Sequence, residues 1–327
     1  MIKRFIAGMT LTLGAVLAAT LPLCAAAQPF PSKPIKIIVP YTPGGTTDLL
    51  ARLVGQKLSE RLGQPVVVEN KPGANGMIGA DLVAKAPPDG YMLGIASPGT
   101  HAANQYLYKS IPYDTVKDFT PVTLAVSAPM LFVVNPALKV NNLKEFIAAA
   151  KAKPGTINYA SGGSGSSQQL AMELFKLMAG IDINHIPYKG SAASYPDLVG
   201  GQVMAEIDVM PSALPQVKAG RLKALATGSA TRLPMLPDVP TIAETGVPGY
   251  EYASWYGFVA PPNLPKDILE KLHSEIVRAL KLPDVAEKLT EAGVIVVAST
   301  PQEFAAHIKS EMAKAAKVIK AANIKAD

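Results

Sequence analysis

The sequence predicts an α/β fold of two lobes, each a mostly parallel sheet flanked by helices. Short apolar segments alternate with segments whose apolar residues recur at helical spacing. A strand, a loop rich in glycine and a helix follow one another twice, in residues 35–62 and again in residues 156–178. The chain of 327 residues is also long for one hydrophobic core.

Residues 1–27 predict a secretory signal peptide. Lys3 and Arg4 form a short basic region, residues 5–23 are mostly apolar, and small residues end the segment at Ala27. We expect cleavage near Ala27 and export of the remaining 300 residues.

Two alternatives for this segment are a retained membrane anchor and a lipoprotein processed before Cys24. Small residues and prolines after the apolar stretch favour cleavage over an anchor. Leu23 is bulky where lipoprotein processing requires a small residue. Cys24 is the only cysteine, so the processed chain has none and must be stable without disulfides.

The charge is mildly basic. Loss of Lys3 and Arg4 lowers the formal net charge from +6 to +4, and no run of Lys or Arg occurs, so nucleic acid is not an expected partner. A diffuse positive field can gather small anions. No later stretch is long and apolar enough to predict a bilayer span.

The first lobe has a βαβαβ order. Its predicted strands are residues 35–39, 66–69 and 91–96, and its predicted helices are residues 49–62 and 78–85. This order predicts a parallel sheet with right-handed crossovers. The loops 40–48, 70–76 and 97–101 then meet at the carboxyl ends of the strands, where such sheets bind ligands.

The loop at residues 40–48, Pro-Tyr-Thr-Pro-Gly-Gly-Thr-Thr-Asp, leads from a strand into a helix. Gly44 and Gly45 allow a ligand to approach the main chain, and Thr46, Thr47 and Asp48 are residues typical of a helix cap. Helix N-termini attract anions through free N–H groups and the helix dipole. A well-capped turn without a ligand is the alternative interpretation.

The rest of the chain continues the alternation. Residues 119–134 predict two strands, one of them a crossing between lobes. The further predicted strands are residues 156–160, 183–187, 203–209, 222–227, 255–260 and 294–297, and the predicted helices are residues 143–152, 170–178, 191–198, 214–219, 266–280, 285–293 and 301–320. Residues 233–249, rich in proline and glycine, predict an ordered connection.

The second lobe repeats the arrangement of the first. Residues 161–167, Ser-Gly-Gly-Ser-Gly-Ser-Ser, lie between a strand and an amphipathic helix, where a flexible linker is not expected. We therefore predict a ligand loop here. Glu206 and Asp208 lie within an apolar strand, and Asp208 near its end is better placed to meet a ligand or orient a loop. A solvated edge residue is the alternative for Asp208.

No motif requires catalysis, a metal or a cofactor. His101, His185, His273 and His307 are scattered and lack metal spacing. The phosphate-binding pattern G-x-x-x-x-G-K-[ST] is absent, Gly73, Gly76 and Gly79 do not fit G-x-G-x-x-G, and Ser166 breaks the pattern G-x-S-x-G. We expect no catalytic residues, no metal and no cofactor.

Seven segments together resemble the Bug-type solute receptors of tripartite tricarboxylate transporters. They are residues 40–48 (PYTPGGTTD), 70–76 (NKPGANG), 185–190 (HIPYKG), 236–241 (LPDVPT), 248–251 (PGYE), 255–257 (WYG) and 300–304 (TPQEF). The resemblance covers nearly the whole processed chain, and the set is specific although no single segment is.

The resemblance implies a periplasmic-binding-protein fold of type II, whose lobes close on a small carboxylate in the cleft between them. It implies that the first-lobe loop holds a ligand carboxylate by N–H groups and water, opposite the Gly/Ser loop and the acidic strand end. The expected ligand-binding residues are Tyr41, Thr42, Gly44, Gly45, Thr46, Thr47, Asn75, Ser97, Gly163, Ser164, Ser166, Ser167 and Asp208. Members often carry a histidine after the second loop, where this chain has Gln168 and Gln169.

The resemblance also implies the organisation and the partners. We expect the first lobe in residues 28–125 and 255–327, and the second lobe in residues 126–254. The expected protein is a periplasmic monomer that binds a dicarboxylate and docks on a membrane permease with one large and one small integral subunit. An exported hydrolase or isomerase, and a sensory receptor without transport, are the alternatives.

Overall fold

A computed structural model describes residues 30–326 of the chain, so the predicted signal peptide lies outside the described residues. The strands are β1 (Ile35–Val39), β2 (Val66–Asn70), β3 (Met92–Ala96), β4 (Thr120–Val134), β5 (Asn158–Ser161), β6 (Asn184–Pro187), β7 (Ala205–Val209), β8 (Lys223–Thr227), β9 (Ala253–Ala260) and β10 (Ile295–Val296). The helices are α1 (Thr46–Leu62), α2 (Met77–Ala84), α3 (Asn104–Leu107), α4 (Leu143–Ala152), α5 (Ser167–Ala179), α6 (Ser191–Gly200), α7 (Met210–Lys218), α8 (Lys266–Leu280), α9 (Pro283–Glu291) and α10 (Pro301–Ala321).

The strands form one path in the order β2-β1-β3-β9-β4-β7-β5-β6, with β8 and β10 each paired to β4. In the first lobe β1 is parallel to β2 and β3, and in the second lobe β5 is parallel to β6 and β7. The long strand β4 joins the two halves, pairing antiparallel with β9 on one side and with β7 on the other. The predicted α/β fold of two lobes is confirmed.

Helices cover both faces of each half. One face of the sheet carries a continuous core that includes Leu50 of α1, Ile276 of α8 and Phe146 of α4, all fully buried. The opposite face of the first lobe packs against α10 through Phe304. The opposite face of the second lobe packs against α6 and α7, with Leu198 in the core. Each apolar helix face in this arrangement meets a sheet face.

The structure corrects two details of the prediction. Residues 119–134 do not form two strands but the single 15-residue strand β4. Pro121 is tolerated because the pairing of β4 with β9 shifts register between Pro121 and Thr123. The predicted loop at residues 97–101 instead runs into a π-helical turn over Gly99–Ala103, which α3 follows.

The predicted lobe boundaries at residues 125/126 and 254/255 fall inside β4 and β9, the strands that connect the halves. The carboxyl ends of β1, β2, β3 and β5 carry the loops predicted from the sequence, and Asp208 lies at the carboxyl end of β7. Among residues 30–326, no helix has the length and hydropathy needed to cross a membrane.

Candidate functional site

The first candidate element is the loop of residues 40–45 between β1 and α1. Gly44 has φ +90°, which favours glycine, and its N–H donates to Asp48 Oδ2 at 3.1 Å. Arg52 donates to both oxygens of the same carboxylate, at 3.0 and 2.9 Å. Burial alone would raise the pKa of Asp48, but hydrogen bonds from Arg52, Asn70 and the Gly44 N–H hold it below its ordinary value. An ionised Asp48 therefore fixes the shape of the loop.

Helix α1 begins one turn earlier than predicted, at Thr46. Gly45 is its N-cap and supplies no side-chain cap. The Gly45 carbonyl, the first acceptor of the helix, accepts from the Asp48 and Leu49 N–H groups. Helical geometry therefore leaves the N–H groups of Thr46 and Thr47 without an intrahelical partner. Both residues are buried, and within residues 30–326 the Thr46 Oγ1 atom has no hydrogen-bond partner. This helix entry can accept an anion at main-chain donors.

Tyr41, Asn75 and Ser97 come from three different loops and meet beside this helix entry. The Tyr41 hydroxyl lies 2.7 Å from Ser97 Oγ, and burial raises the pKa of Tyr41 to about 12. Asn75 has φ +48° and donates from Nδ2 to Asn104 Oδ1 at 2.9 Å. Asn104 in turn donates to the Asn75 carbonyl at 3.2 Å. The predicted gathering of the three first-lobe loops is present in the structure.

The second candidate element is the loop between β5 and α5. Gly163 and Gly165 have φ +116° and +77°. The Gly165 N–H donates to Gln169 Oε1 at 2.7 Å, and the Ser166 hydroxyl caps α5 by accepting from the Gln169 N–H at 3.3 Å. The Ser167 and Gln168 N–H groups occupy the same helical positions as those of Thr46 and Thr47 in α1. Each lobe thus presents two N–H groups at a helix entry.

Asp208 lies at the end of β7 and is fully buried. Its carboxylate accepts from Gln168 Nε2 at 3.0 Å, from the Tyr195 hydroxyl at 2.8 Å and from the Val209 N–H at 2.8 Å. Burial raises the pKa of Asp208, while these hydrogen bonds act in the opposite direction. Asp208 therefore positions the Gln168 side chain at the start of α5.

Glu206 lies two residues earlier on the same face of β7 and is also fully buried. Its Oε2 accepts from Ser194 Oγ at 2.8 Å, while Oε1 has no hydrogen-bond partner within residues 30–326. Burial, followed by the neighbouring Asp208 charge, raises the pKa of Glu206 well above its ordinary value. The second lobe therefore carries two buried acids directly beneath its candidate loop.

The second candidate loop approaches the first lobe at Asn75 and Leu107. A methyl group placed at Gly165 would collide with Leu107 Cδ1 and would lie 3.0 Å from Asn75 Nδ2, both in the first lobe. Tyr256, on the connecting strand β9, has a pKa raised by burial and further by the charges of Tyr41 and Asp208. Residues from both lobes and from β9 therefore share one electrostatic environment.

The expected site residues differ in their exposure to solvent. Thr42, Gly44 and Gly45 are exposed, Tyr41, Asn75, Gly163, Ser164 and Ser167 are half-buried, and Thr46, Thr47, Ser97, Ser166 and Asp208 are buried. All lie on loops or element ends at the carboxyl side of the parallel strands. Their role in binding stays a prediction.

Several supporting residues were not predicted. Gln168 and Gln169 tie the second loop to Asp208 and to Gly165, and His185 lies 2.6 Å from Ser161 Oγ through Nε2. Tyr195 and Tyr256 add hydroxyls from α6 and β9. A polar pair directly after the second Gly/Ser loop was the one available sequence signal. Within residues 30–326, no group of His, Cys, Asp and Glu could hold a metal ion.

The sequence of this chain is similar to those of known proteins. The tripartite tricarboxylate transporter family receptor (TctC) matches residues 50–324. Protein BugT of Bordetella pertussis is 40% identical over 295 residues, which cover 90% of this chain and 90% of BugT.

Two solved structures are similar over most of the chain. The structure of Rpa4515 from R. palustris with adipate has a TM-score of 0.87 at 40% identity and covers 91% of this chain and 100% of that one. MatC from Rhodopseudomonas palustris, with bound malate, has a TM-score of 0.82 at 33% identity and covers 89% of this chain and 100% of that one.

Proposed function

The chain belongs to the tripartite tricarboxylate transporter receptor (TctC) family of solute-binding proteins, and we propose that it captures a small dicarboxylate between its lobes. The observation that carries this proposal is the pair of helix entries, one in each lobe, together with the approach of Gly165, beside the second entry, to Asn75 of the first-lobe loop at residues 70–76. Each entry offers two N–H groups without an intrahelical partner. One carboxylate of the ligand binds at each entry.

The capture is by main chain and hydroxyls, without a salt bridge. Residues 40–48 and 161–169 contain no Lys or Arg. Arg52, on α1 after the first loop, is bound to Asp48. Hydrogen bonds from N–H groups to a carboxylate are charge-assisted and about twice as strong as neutral ones. The buried Thr46 hydroxyl supplies a further group that the ligand satisfies.

The ligand class is supported by the solved relatives. Rpa4515 is described with adipate and MatC with malate, and both ligands carry two carboxylates. Adipate and malate differ in length, so the spacing of the two helix entries decides which dicarboxylate fits. In this chain Asp208 fixes Gln168 at the second entry, and we propose that this pair sets the distal contact.

The cellular role follows from the family. We propose that the signal peptide is removed near Ala27, that the receptor acts in the periplasm as a monomer, and that it delivers its ligand to a membrane permease. The proposed role is binding without chemical conversion of the ligand. An uptake assay with the labelled dicarboxylate, in a strain deleted for this gene and in the complemented strain, tests delivery.

Calorimetric titration with adipate, malate and succinate tests the binding proposal. Gly45→Val adds a side chain at the first helix entry, where a Cβ meets no other atom in the free protein. Ser166→Ala removes the cap of α5 at the second entry. We expect Kd to rise about tenfold or more for Gly45→Val and about threefold to tenfold for Ser166→Ala.

Matched variants control for side effects. Gly200→Val places the same side chain at another glycine with open space. Asn142→Ala removes the cap of α4. This helix follows the carboxyl end of β4, which pairs with the start of β7 and so lies away from Asp208. Both should keep the affinity of the unmodified protein. Unchanged affinity in Gly45→Val and Ser166→Ala would refute capture at the two helix entries.

A further inference from the structure

A cavity lies between the lobes, on the face of strand β9 that points away from the candidate carboxylate site. Its volume is about 320 Å³, within the range of small-molecule sites. Trp255 lines it, whereas the next residue, Tyr256, faces the candidate carboxylate site, because successive side chains of a strand point to opposite faces. None of the predicted carboxylate-binding residues lines this cavity.

The walls of the cavity come from both lobes and are largely apolar. Ala102 belongs to the first lobe, and Leu170 and Leu174 belong to α5 of the second. Leu124 and Trp255 belong to the connecting strands β4 and β9. Glu251, Lys314 and Lys317 of the lining are exposed, so the cavity opens to solvent and a small molecule can enter it from the surface.

Two residues of the lining, Ser254 and His307, each have a buried polar side-chain atom without a hydrogen-bond partner within residues 30–326. Trp255 Nε1 donates to Glu311 Oε2 at 3.2 Å, and Lys314 Nζ donates to Glu311 Oε1 at 2.8 Å. His307 Nε2 is buried in the same wall and has no hydrogen-bond partner within the described part of the chain. Burial lowers the pKa of His307, so its ring is neutral at pH 7. A buried polar atom of this kind calls for a partner.

Charge and shape narrow the class of ligand. Two ammonium groups, Lys314 and Lys317, balance two carboxylates, Glu251 and Glu311, so the lining is formally neutral. The rings of Trp255 and His307 lie 5.0 Å apart at 84° and form a corner against which another ring can pack edge to face. A neutral aromatic body with one hydrogen-bonding group fits these features better than a second dianion.

We propose that this cavity is a second ligand site, for a small neutral aromatic molecule that hydrogen-bonds to His307 Nε2. The ring of the ligand packs among Leu170, Leu174 and Trp255. Its hydroxyl or equivalent group satisfies the buried histidine nitrogen. The site is separate from the carboxylate site and does not require that site to be occupied.

Trp255 is the single tryptophan of the chain, so its fluorescence reports directly on this cavity. The probe is benzyl alcohol, titrated against the full processed protein with excitation of tryptophan and, in parallel, by calorimetry. We expect a saturable change in Trp255 emission with one binding site. Toluene, which lacks the hydroxyl, and benzoate, which is charged, should each bind about tenfold more weakly.

Three variants locate the site. Leu174→Phe fills the cavity and should raise the Kd for benzyl alcohol at least tenfold, while Leu177→Phe, at an exposed position of the same helix, should leave it unchanged. His307→Leu should abolish the preference for benzyl alcohol over toluene. Dicarboxylate affinity, measured on the same samples, shows that each variant is folded. The proposal is overturned if benzyl alcohol gives no saturable signal at millimolar concentration, or if Leu174→Phe binds it as the unmodified protein does.

Discussion

The two candidate loops share a backbone arrangement but differ in what holds them. Each ends at a helix whose first two N–H groups have no intrahelical partner. The first loop is held by Asp48, whose partner Arg52 is half exposed. The second loop is held by buried amides, with Gln169 bonded to Gly165 and Gln168 bonded to Asp208.

This difference has consequences for stability and for binding. Asp48 is buried but Arg52 is half exposed, so water and salt partly screen this ion pair and its contribution is modest. Buried polar groups are costly to leave unpaired, so a network of satisfied amides is sensitive to the loss of any one member. We therefore expect the loss of a supporting side chain to weaken binding more in the second loop than in the first.

The largest effect is expected at Gly165, where the lobes touch. Gly165→Ala places a methyl group against Leu107 and Asn75 and should raise the Kd for the preferred dicarboxylate at least tenfold. Gly180→Ala is the matched control. Gly180 ends α5, the helix that follows Gly165, has a similar positive φ of +61°, and has open space around it. Calorimetry on both variants separates the contact between lobes from backbone strain. Equal affinities in the two would contradict a contact between lobes that contributes to binding.

The next effect is expected from Asp208→Asn. The substituted amide cannot accept from Gln168, Tyr195 and Val209 together as the carboxylate does, so the network loses a partner. We expect a loss of about 1–3 kcal/mol in the free energy of unfolding and about tenfold in affinity. Urea unfolding and calorimetry measure the two quantities.

The control for Asp208→Asn is Asp114→Asn, at an exposed turn where the carboxylate also accepts main-chain N–H bonds. It should change both quantities much less. If Asp208→Asn binds the dicarboxylate normally, Gln168 does not depend on this carboxylate for its position at the site.

The backbone of both loops could be predicted from the sequence, because its determinants are local. Glycine at positions of positive φ, such as Gly44 and Gly163, and an apolar helical period after each loop suffice to place a helix entry after a strand. The alternation of strands and helices likewise predicted the parallel halves of the sheet. These signals require no knowledge of which residues meet in space.

The sequence indicated that Asp208 could orient a loop, but its partner Gln168 could not be predicted, because that contact is tertiary. Gln168 and Asp208 are 40 positions apart, and only the packing of α5 on β7 brings them together. The single strand β4 was missed for a related reason. Pro121 suggests a break in isolation, but a register shift against β9 accommodates it. The cavity beside Trp255 is likewise formed by elements distant in the chain.

A smaller effect is expected from Asp48→Asn in the first loop. The asparagine can still accept from the Gly44 N–H, and the partner Arg52 side chain is 53% exposed. We expect a loss of at most about 1 kcal/mol in stability and at most about threefold in affinity. Arg52→Gln should reproduce the loss, since it removes the other half of the pair. A loss as large as that of Asp208→Asn would contradict the proposed difference between the loops.

The last prediction compares the two loops through their pH dependence. The native pKa of Asp48 is lowered, so its contribution is present above the unfolded pKa of about 4 and is lost as the pH falls. The native pKa of Glu206 is raised, so the native state keeps a proton that the unfolded chain releases. The free energy of unfolding therefore falls as the pH rises from the unfolded pKa of Glu206, about 4, to its higher native pKa.

Glu206→Gln removes this titration. The free energy of unfolding of the variant, relative to that of the unmodified protein, should be roughly 1 kcal/mol higher at pH 8 than at pH 5. Asp48→Asn should show the opposite sign, with its deficit largest at neutral pH and smallest near pH 3. Urea unfolding followed by circular dichroism at pH 3, 5 and 8 measures both. A Glu206→Gln difference that does not change with pH would mean that Glu206 is paired in solution. The Oε1 atom of Glu206, which has no hydrogen-bond partner within residues 30–326, would then have one in solution. The second lobe would in that case stabilise an ionised acid by pairing, as the first lobe does with Asp48 and Arg52.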